Sequence, residues 1–463
     1  MATANPACCV RWFGSMISAV ALLAGCAAYH PMPLPTQVRP AHVLADLAGA
    51  PPDGKPLDMA TVERLVVLNN PALKAARAAH AVGAAQLLQA GLLPNPTVQG
   101  SAGFLIAGTG DATAWTAGLG EDIHALLTLH QRRKAARAGA GQIDAGILWQ
   151  EWQTVSKARL LVVDLTEGER LLALERRQLA LLAQRSNALR QGLQEGHIDL
   201  ATAAPALAAT AQAARTQEEL ARHLLAQRHE LAALLGLDVA TPFALKAEQL
   251  PAPLNPATLQ DDLRTLARRR PDLVALQLGY QAEEARLRAA VLAQYPMFSF
   301  GAGFSQDNSR VRNGGPVVSF ELPLFDRNQG NIAIEQATRQ QLHDEYAARL
   351  EEAVQAIFAL QSEQIQARAQ LASLDAHLLQ ARHLAAEAEA AWRDGLIDLR
   401  AHVELMLAAQ EREADGIALE QAIAEQQVLM ETLLAHGLPG VLDERALHAT
   451  PGAAPPMPGG FPS

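Results

Sequence analysis

The chain has 463 residues, 49% of them hydrophobic but only 4% aromatic, and a net charge of −10. That acidity argues against a nucleic-acid binder working through a basic face. After residue 26 no run of about eighteen apolar residues survives its interruptions by charge, which excludes a membrane-spanning helix.

Residues 1–25 read as a targeting segment rather than as fold. Arg11 supplies the positive side chain, Met16 to Ala24 a short apolar stretch, and Leu23-Ala24-Gly25-Cys26 the ending. So short a stretch cannot span a bilayer. The Leu-Ala-Gly-Cys ending resembles the bacterial lipoprotein signal, which implies a covalent lipid on Cys26. Ala27 stands where an aspartate would retain such a protein at the inner membrane, which implies the outer one. The competing reading is an ordinary secretory peptide. Cys8 and Cys9 fall in the part removed, so the mature chain is expected to have no disulfide, thiolate nucleophile or cysteine metal site. Residues 26–56, rich in proline, read as an extended strap.

Next come two copies of one plan, offset by about 200 residues: 57–240 and 257–437, joined by a Pro-containing linker at 241–256. Asn69-Asn70-Pro71-Ala72-Leu73 is echoed by Arg269-Arg270-Pro271-Asp272-Leu273, and each is followed by an Ala-rich helix. Each copy then has a strand pair, expected at 97–120 and 297–322. Alternation puts Val98, Phe104, Trp115 and Leu119 on one face in the first copy. Phe298, Phe300, Phe304, Phe320 and Leu322 do the same in the second, with Ser, Gly and Thr opposite. Gln306 to Gly315 reads as a polar turn. Strands of about nine residues have the length that crosses a bilayer when tilted.

Proline-free runs follow, from about Leu127 to Leu193 and from about Ile332 to Asp394, with apolar positions stepping by three, four and seven. Each would form a helix roughly 100 Å long, as in coiled coils or bundles. Gly196-His197-Ile198-Asp199-Leu200 and Gly395-Leu396-Ile397-Asp398-Leu399 mark the turns, with tips near 192–200 and 394–399. The return helices are expected over 199–235 and, after the break at 241–256, over 257–293. A Pro/Gly-rich tail at 438–463 reads as disordered. The class is mainly α with a small β part and an internal duplication.

Four strands cannot close a membrane barrel, whose smallest members have eight. An open edge cannot face lipid, where each unpaired N–H or C=O costs several kcal/mol. Such a chain must share a barrel among copies; two would give eight strands and three would give twelve.

The order of lipoprotein signal, Asn-Asn-Pro helix, strand pair, long helical hairpin, Gly-x-x-Asp-Leu turn and duplication resembles the TolC family of outer-membrane efflux channels. Leu322-Pro323-Leu324-Phe325-Asp326-Arg327-Asn328-Gln329-Gly330-Asn331-Ile332 looks most like the branch serving heavy-metal resistance-nodulation-division pumps. The resemblance implies a homotrimer with a shared twelve-stranded barrel and a helical tunnel through the periplasm, lying in outer-membrane lipid. It also implies a periplasmic adaptor, an inner-membrane pump and passive conduction without cofactor or chemistry. Gly196, Asp199, Gly395 and Asp398 would lie at the periplasmic aperture, where carboxylates favour cations. The plainer expectation is that Asp199 and Asp398 are helix N-caps. The first copy departs from the family, with Gly120-Glu121-Asp122-Ile123-His124 where the second has Pro-Leu-Phe-Asp.

Other chemistries find no footing. His229-Glu230 lacks the second histidine of a zinc-hydrolase helix, since Ala233 stands there. Gly108-Thr109-Gly110 lacks the remainder of a phosphate loop, and no Gly-x-Ser-x-Gly elbow occurs. The rival reading is a non-pore adaptor or structural coiled-coil lipoprotein.

Overall fold

A computed structural model describes residues 29–37, 40–52, 55–247, 249–252, 256–296 and 298–436. The described residues fall into two units, divided after Pro40. In the first unit, residues 29–35 form neither helix nor strand and expose their side chains. The signal segment, Cys26 and the tail at 438–463 lie outside the described residues.

The second unit repeats one order of elements: α1 (Met59–Asn69), α2 (Pro71–Gly91), β1 (Thr97–Gly103), β2 (Ala114–Asp122), α3 (Ile123–Gln194) and α4 (Leu200–Leu235). These are followed by α5 (Pro256–Arg269), α6 (Pro271–Leu292), β3 (Phe298–Gln306), β4 (Arg312–Phe320), α7 (Gln329–Arg393) and α8 (Leu399–Leu433). The α3 helix has 72 residues, about 108 Å at 1.5 Å per residue. Among the described residues helices dominate, and the one sheet is small and antiparallel.

Local chemistry sets the boundaries. Asp58 caps α1 by accepting from Thr61 N at 2.9 Å, and Asn70 caps α2 by accepting from Leu73 N at 3.0 Å. Pro71 and Pro271 sit at first helical positions, where no N–H is needed. Pro271 also explains why the stretch expected as one helix over 257–293 is two, α5 and α6. A proline ring disfavours helical backbone at the residue before it, here Arg270. That arginine is buried, pairs with Asp272 at 2.8 Å and lies 4.9 Å from the Trp149 ring.

The main core sits part-way along α3, where Trp152, Val155, Val162 and Leu165 pack against Leu65, Val66, Leu231 and Leu235. Segments at Ala41 and Leu57 run parallel beside Leu237 and Leu245, closing this core from outside. A second cluster joins Leu259, Leu266 and Leu273 to Ala353, Ile357 and Leu434. The two copies thus build equivalent cores at the junction of short and long helices.

Candidate functional site

The sheet has the order β1-β2-β3-β4, each neighbour antiparallel, and among the described residues no strand covers the outer edge of β1 or β4. Its register aligns the two copies into one surface. Val98 opposes Leu119, which opposes Ala302; Ala117 opposes Phe304; Phe300 opposes Val318; Phe298 opposes Phe320. Directly opposed residues share a face. Val98, Trp115, Leu119, Phe298, Phe300, Phe304, Val318 and Phe320 therefore form one apolar surface. They are exposed by between 37% for Trp115 and 81% for Val98. Its charges, Glu121 and Arg312, stand at opposite ends of the band, beside the helices and beside the turn.

Two expected face residues lie outside the ladder. Phe104 follows the last residue of β1, and Leu322 is two past the end of β4, both exposed. Leu322 precedes Pro323, which has no N–H to offer a ladder. β4 in turn begins at Arg312, earlier than its alternation indicates. Gly314 and Gly315 read as turn residues but pair with Phe304 and Gly303, and Pro316 beyond them pairs with Ala302. Proline is tolerated because β4 is an edge strand. Gly314 leaves room for the Phe304 ring, which would lie 2.8 Å from a Cβ there.

The opposite face carries Gln99, Ser101, Thr116, Gly118, Ser299, Gly301, Gly303 and Ser319, small or polar, with the apolar Val317 opposite Gly301 as an exception. Ser101 and Thr116 hydroxyls bond at 2.8 Å across it. At the helix end, Asp122 closes β2 and caps α3 by accepting from Ala125 N at 3.2 Å. The 323–332 motif makes the corresponding corner. Asp326 accepts from Asn328 N at 2.8 Å, and Asn328, at φ 61°, donates through Nδ2 to Ala290 O at 2.8 Å. The motif residues thus hold the corner between β4 and α7 against the end of α6.

At the far ends, Gly196 and Gly395 adopt φ 76° and 71°, left-handed values that favour glycine. Asp199 accepts from Thr202 N at 2.9 Å and from its hydroxyl at 2.6 Å, and Asp398 accepts from Ala401 N at 2.8 Å. Both are N-caps, as the plainer expectation has it. Thr202 donation, hydroxyl first and backbone second, holds the Asp199 carboxyl below its ordinary value. The second tip adds buried His402, whose Nε2 lies 2.7 Å from Glu389 Oε2.

Between the two hairpins, α3 and α8 run antiparallel with a ladder of pairs. Arg159 bonds Glu431, Arg170 bonds Glu420 at 2.7 Å, Arg177 bonds Glu413 at 3.3 Å, and Arg185 lies 3.7 Å from Glu404. One pair in the sequence differs: Asp164 meets Glu425, acid against acid. No single-sequence signal announces this seam, because it depends on a register between distant helices. Among the described residues no group of three His, Cys, Asp or Glu side chains could hold a metal, and no helix is long and apolar enough to cross a membrane.

No protein-family model matches the chain, and no curated protein matches it in sequence. Solved structures do match in fold. A membrane protein from Pseudomonas aeruginosa superposes with a TM-score of 0.67 at 17% identity, over 89% of this chain and 98% of that one. CusC, described by its folding and transmembrane channel formation, gives 0.64 at 18%, over 89% and 100%. The open-state MtrE outer membrane channel of Neisseria gonorrhoeae gives 0.64 at 17%, over 82% and 89%. The chain has the fold of these membrane and channel proteins.

Proposed function

We propose that the protein is an outer-membrane channel of the TolC family, conducting solutes passively from the periplasm to the exterior as the last component of a tripartite efflux system. The observation that carries this reading is the four-stranded sheet, with one continuous exposed apolar face and, among the described residues, two unpaired edges. A lipid-facing sheet has to close, because its edge groups find no water in the bilayer. β1 and β4 are antiparallel to each other by the up-down order, so β4 of one copy can pair with β1 of the next. Three copies would make twelve strands, the number that the family resemblance implies. The Ser, Thr and Gly face would then line the water-filled interior.

In this reading α3, α4, α7 and α8 supply the periplasmic tunnel wall, and the hairpin tips meet a periplasmic adaptor beneath which an inner-membrane pump supplies energy. A lipid on Cys26 anchors the chain, with 26–56 as its strap. Metal ions are favoured as cargo over organic compounds on the strength of the 323–332 motif.

The experiment is single-channel conductance of the detergent-extracted protein in a planar bilayer, with its oligomer mass measured in parallel. Discrete steps from a species of three chains support the channel. A monomer without conductance would turn the assignment to the non-pore structural lipoprotein.

A further inference from the structure

Asp164 sits where α3 meets both α4 and α8. From α4, Gln227 Nε2 donates to Asp164 Oδ2 at 3.0 Å. From α8, Gln421 Nε2 donates to Asp164 Oδ1 at 3.3 Å and to Glu425 Oε1 at 2.7 Å. The Asp164 and Glu425 carboxyls also meet each other. No cation pairs with either among the described residues. The flanking arginines are taken, Arg159 by Glu63 and Glu431, Arg170 by Glu167 and Glu420. Two turns back on α3, Lys157 is occupied by Glu230 of α4 at 2.5 Å.

Two carboxylates in contact and half out of water cannot both ionise cheaply. One shared proton turns the contact into a hydrogen bond; its loss leaves like charges facing across the seam. The geometry points to a proton-operated latch in the helical wall, in which Asp164 and Glu425 tie α3 to α8 while they share a proton and push the two hairpins apart once it is lost. Burial first, and the Glu425 carboxyl second, push the Asp164 carboxyl up to about 7. A carboxyl raised on folding stabilises most at acid pH, and that contribution fades as pH rises through about 7. The four arginine-glutamate pairs of the same seam join opposite charges, whereas the Asp164–Glu425 contact attracts only with a proton between its carboxyls. The consequence for conduction, a wall firm in acid and looser in alkali, rests on the channel reading; the latch itself does not.

The test is the distance between nitroxide labels on Ala173→Cys and Ala418→Cys, exposed positions on α3 and α8, in the full-length protein from about pH 5.5 to about pH 8.5. We expect the distribution to lengthen and broaden with a midpoint near pH 7. Asp164→Asn, which keeps a neutral hydrogen-bonding amide, should hold the acid-side distribution throughout. Glu425→Gln does the same from the other partner, should the first variant fail to fold. A wild-type distribution that ignores pH, or variants that respond as wild type does, would overturn the latch. Because the labels report whether or not the protein conducts, a responsive seam in a non-conducting protein would count against the channel reading alone.

Discussion

Trp392 and His402 stack with ring centroids 4.6 Å apart and planes 4° from parallel, closing the second hairpin tip from its two sides. The equivalent pair in the first tip is Leu193 and Ala203, so the duplicated hairpins have diverged at their ends. His402 is 2% exposed and bonded to Glu389, which fixes the ring against the tryptophan. His402→Ala removes an aromatic contact of about 0.5–1.5 kcal/mol and leaves a cavity, for a local loss of about 1–3 kcal/mol. Hydrogen exchange should show faster amides at the ends of α7 and α8, with the 196–200 tip unchanged. Equal acceleration at both tips would mean that the stack holds nothing locally.

Asparagine caps helices as well as aspartate does, so Asp199→Asn with Asp398→Asn separates charge from capping. Helix content and melting temperature should stay at wild-type values, while cation preference in planar bilayers falls. Thr202 keeps the Asp199 carboxyl below its ordinary value of 3.8, so in the wild type its share of that preference should persist until the pH drops below that range. An unchanged preference in the double variant would leave the two aspartates as caps only.

How far the sequence reaches is visible in such pairs. Gly196 and Asp199 carry their own geometry, a left-handed turn and a cap, and these are local properties that spacing reveals. Phe298, Phe300 and Phe304 betray their face by alternation, which needs no partner to be read. The start of β4 at Arg312 does need one, because only pairing with β3 draws two glycines and a proline into a ladder. Asp164 and Glu425 lie farther beyond reach, since their contact is set by how α3 slides along α8. The burial of His402 likewise depends on what packs beside it.

Gly301 lies so close to the neighbouring strand that a Cβ would fall 2.0 Å from Leu119 O, a backbone atom unable to move aside. Gly315, on the same face, has open space around its own Cβ position. Gly301→Ala should therefore break the β2–β3 pairing at the point that joins the two copies. The cost is at least the ~1–3 kcal/mol of an overpacked site, and the yield of assembled oligomer after detergent extraction should collapse. Gly315→Ala should stay within about 0.5 kcal/mol of wild type and assemble normally. Equal yields from the two variants would contradict the observed register.

Glu335 on α7 meets the buried Glu283 of α6, in a second acid pair just below the sheet. The hydrogen bond with Glu283 first, and burial second, push the Glu335 carboxyl up to about 7 from an ordinary 4.5. Because the folded value lies above the unfolded one, the protonated form favours folding. The contribution is complete below the ordinary value, fades as pH rises and is gone above about 7. Glu335 is partly exposed, so screening limits the effect to on the order of 1 kcal/mol. Melting temperature should fall between pH 5 and pH 8 in the wild type and fall less in Glu335→Gln, whose amide cannot lose that proton. Asp164 contributes in the same direction, so the slope should flatten further when Glu335→Gln is combined with Asp164→Asn. A single variant as steep as wild type would locate the pH response elsewhere in the wall.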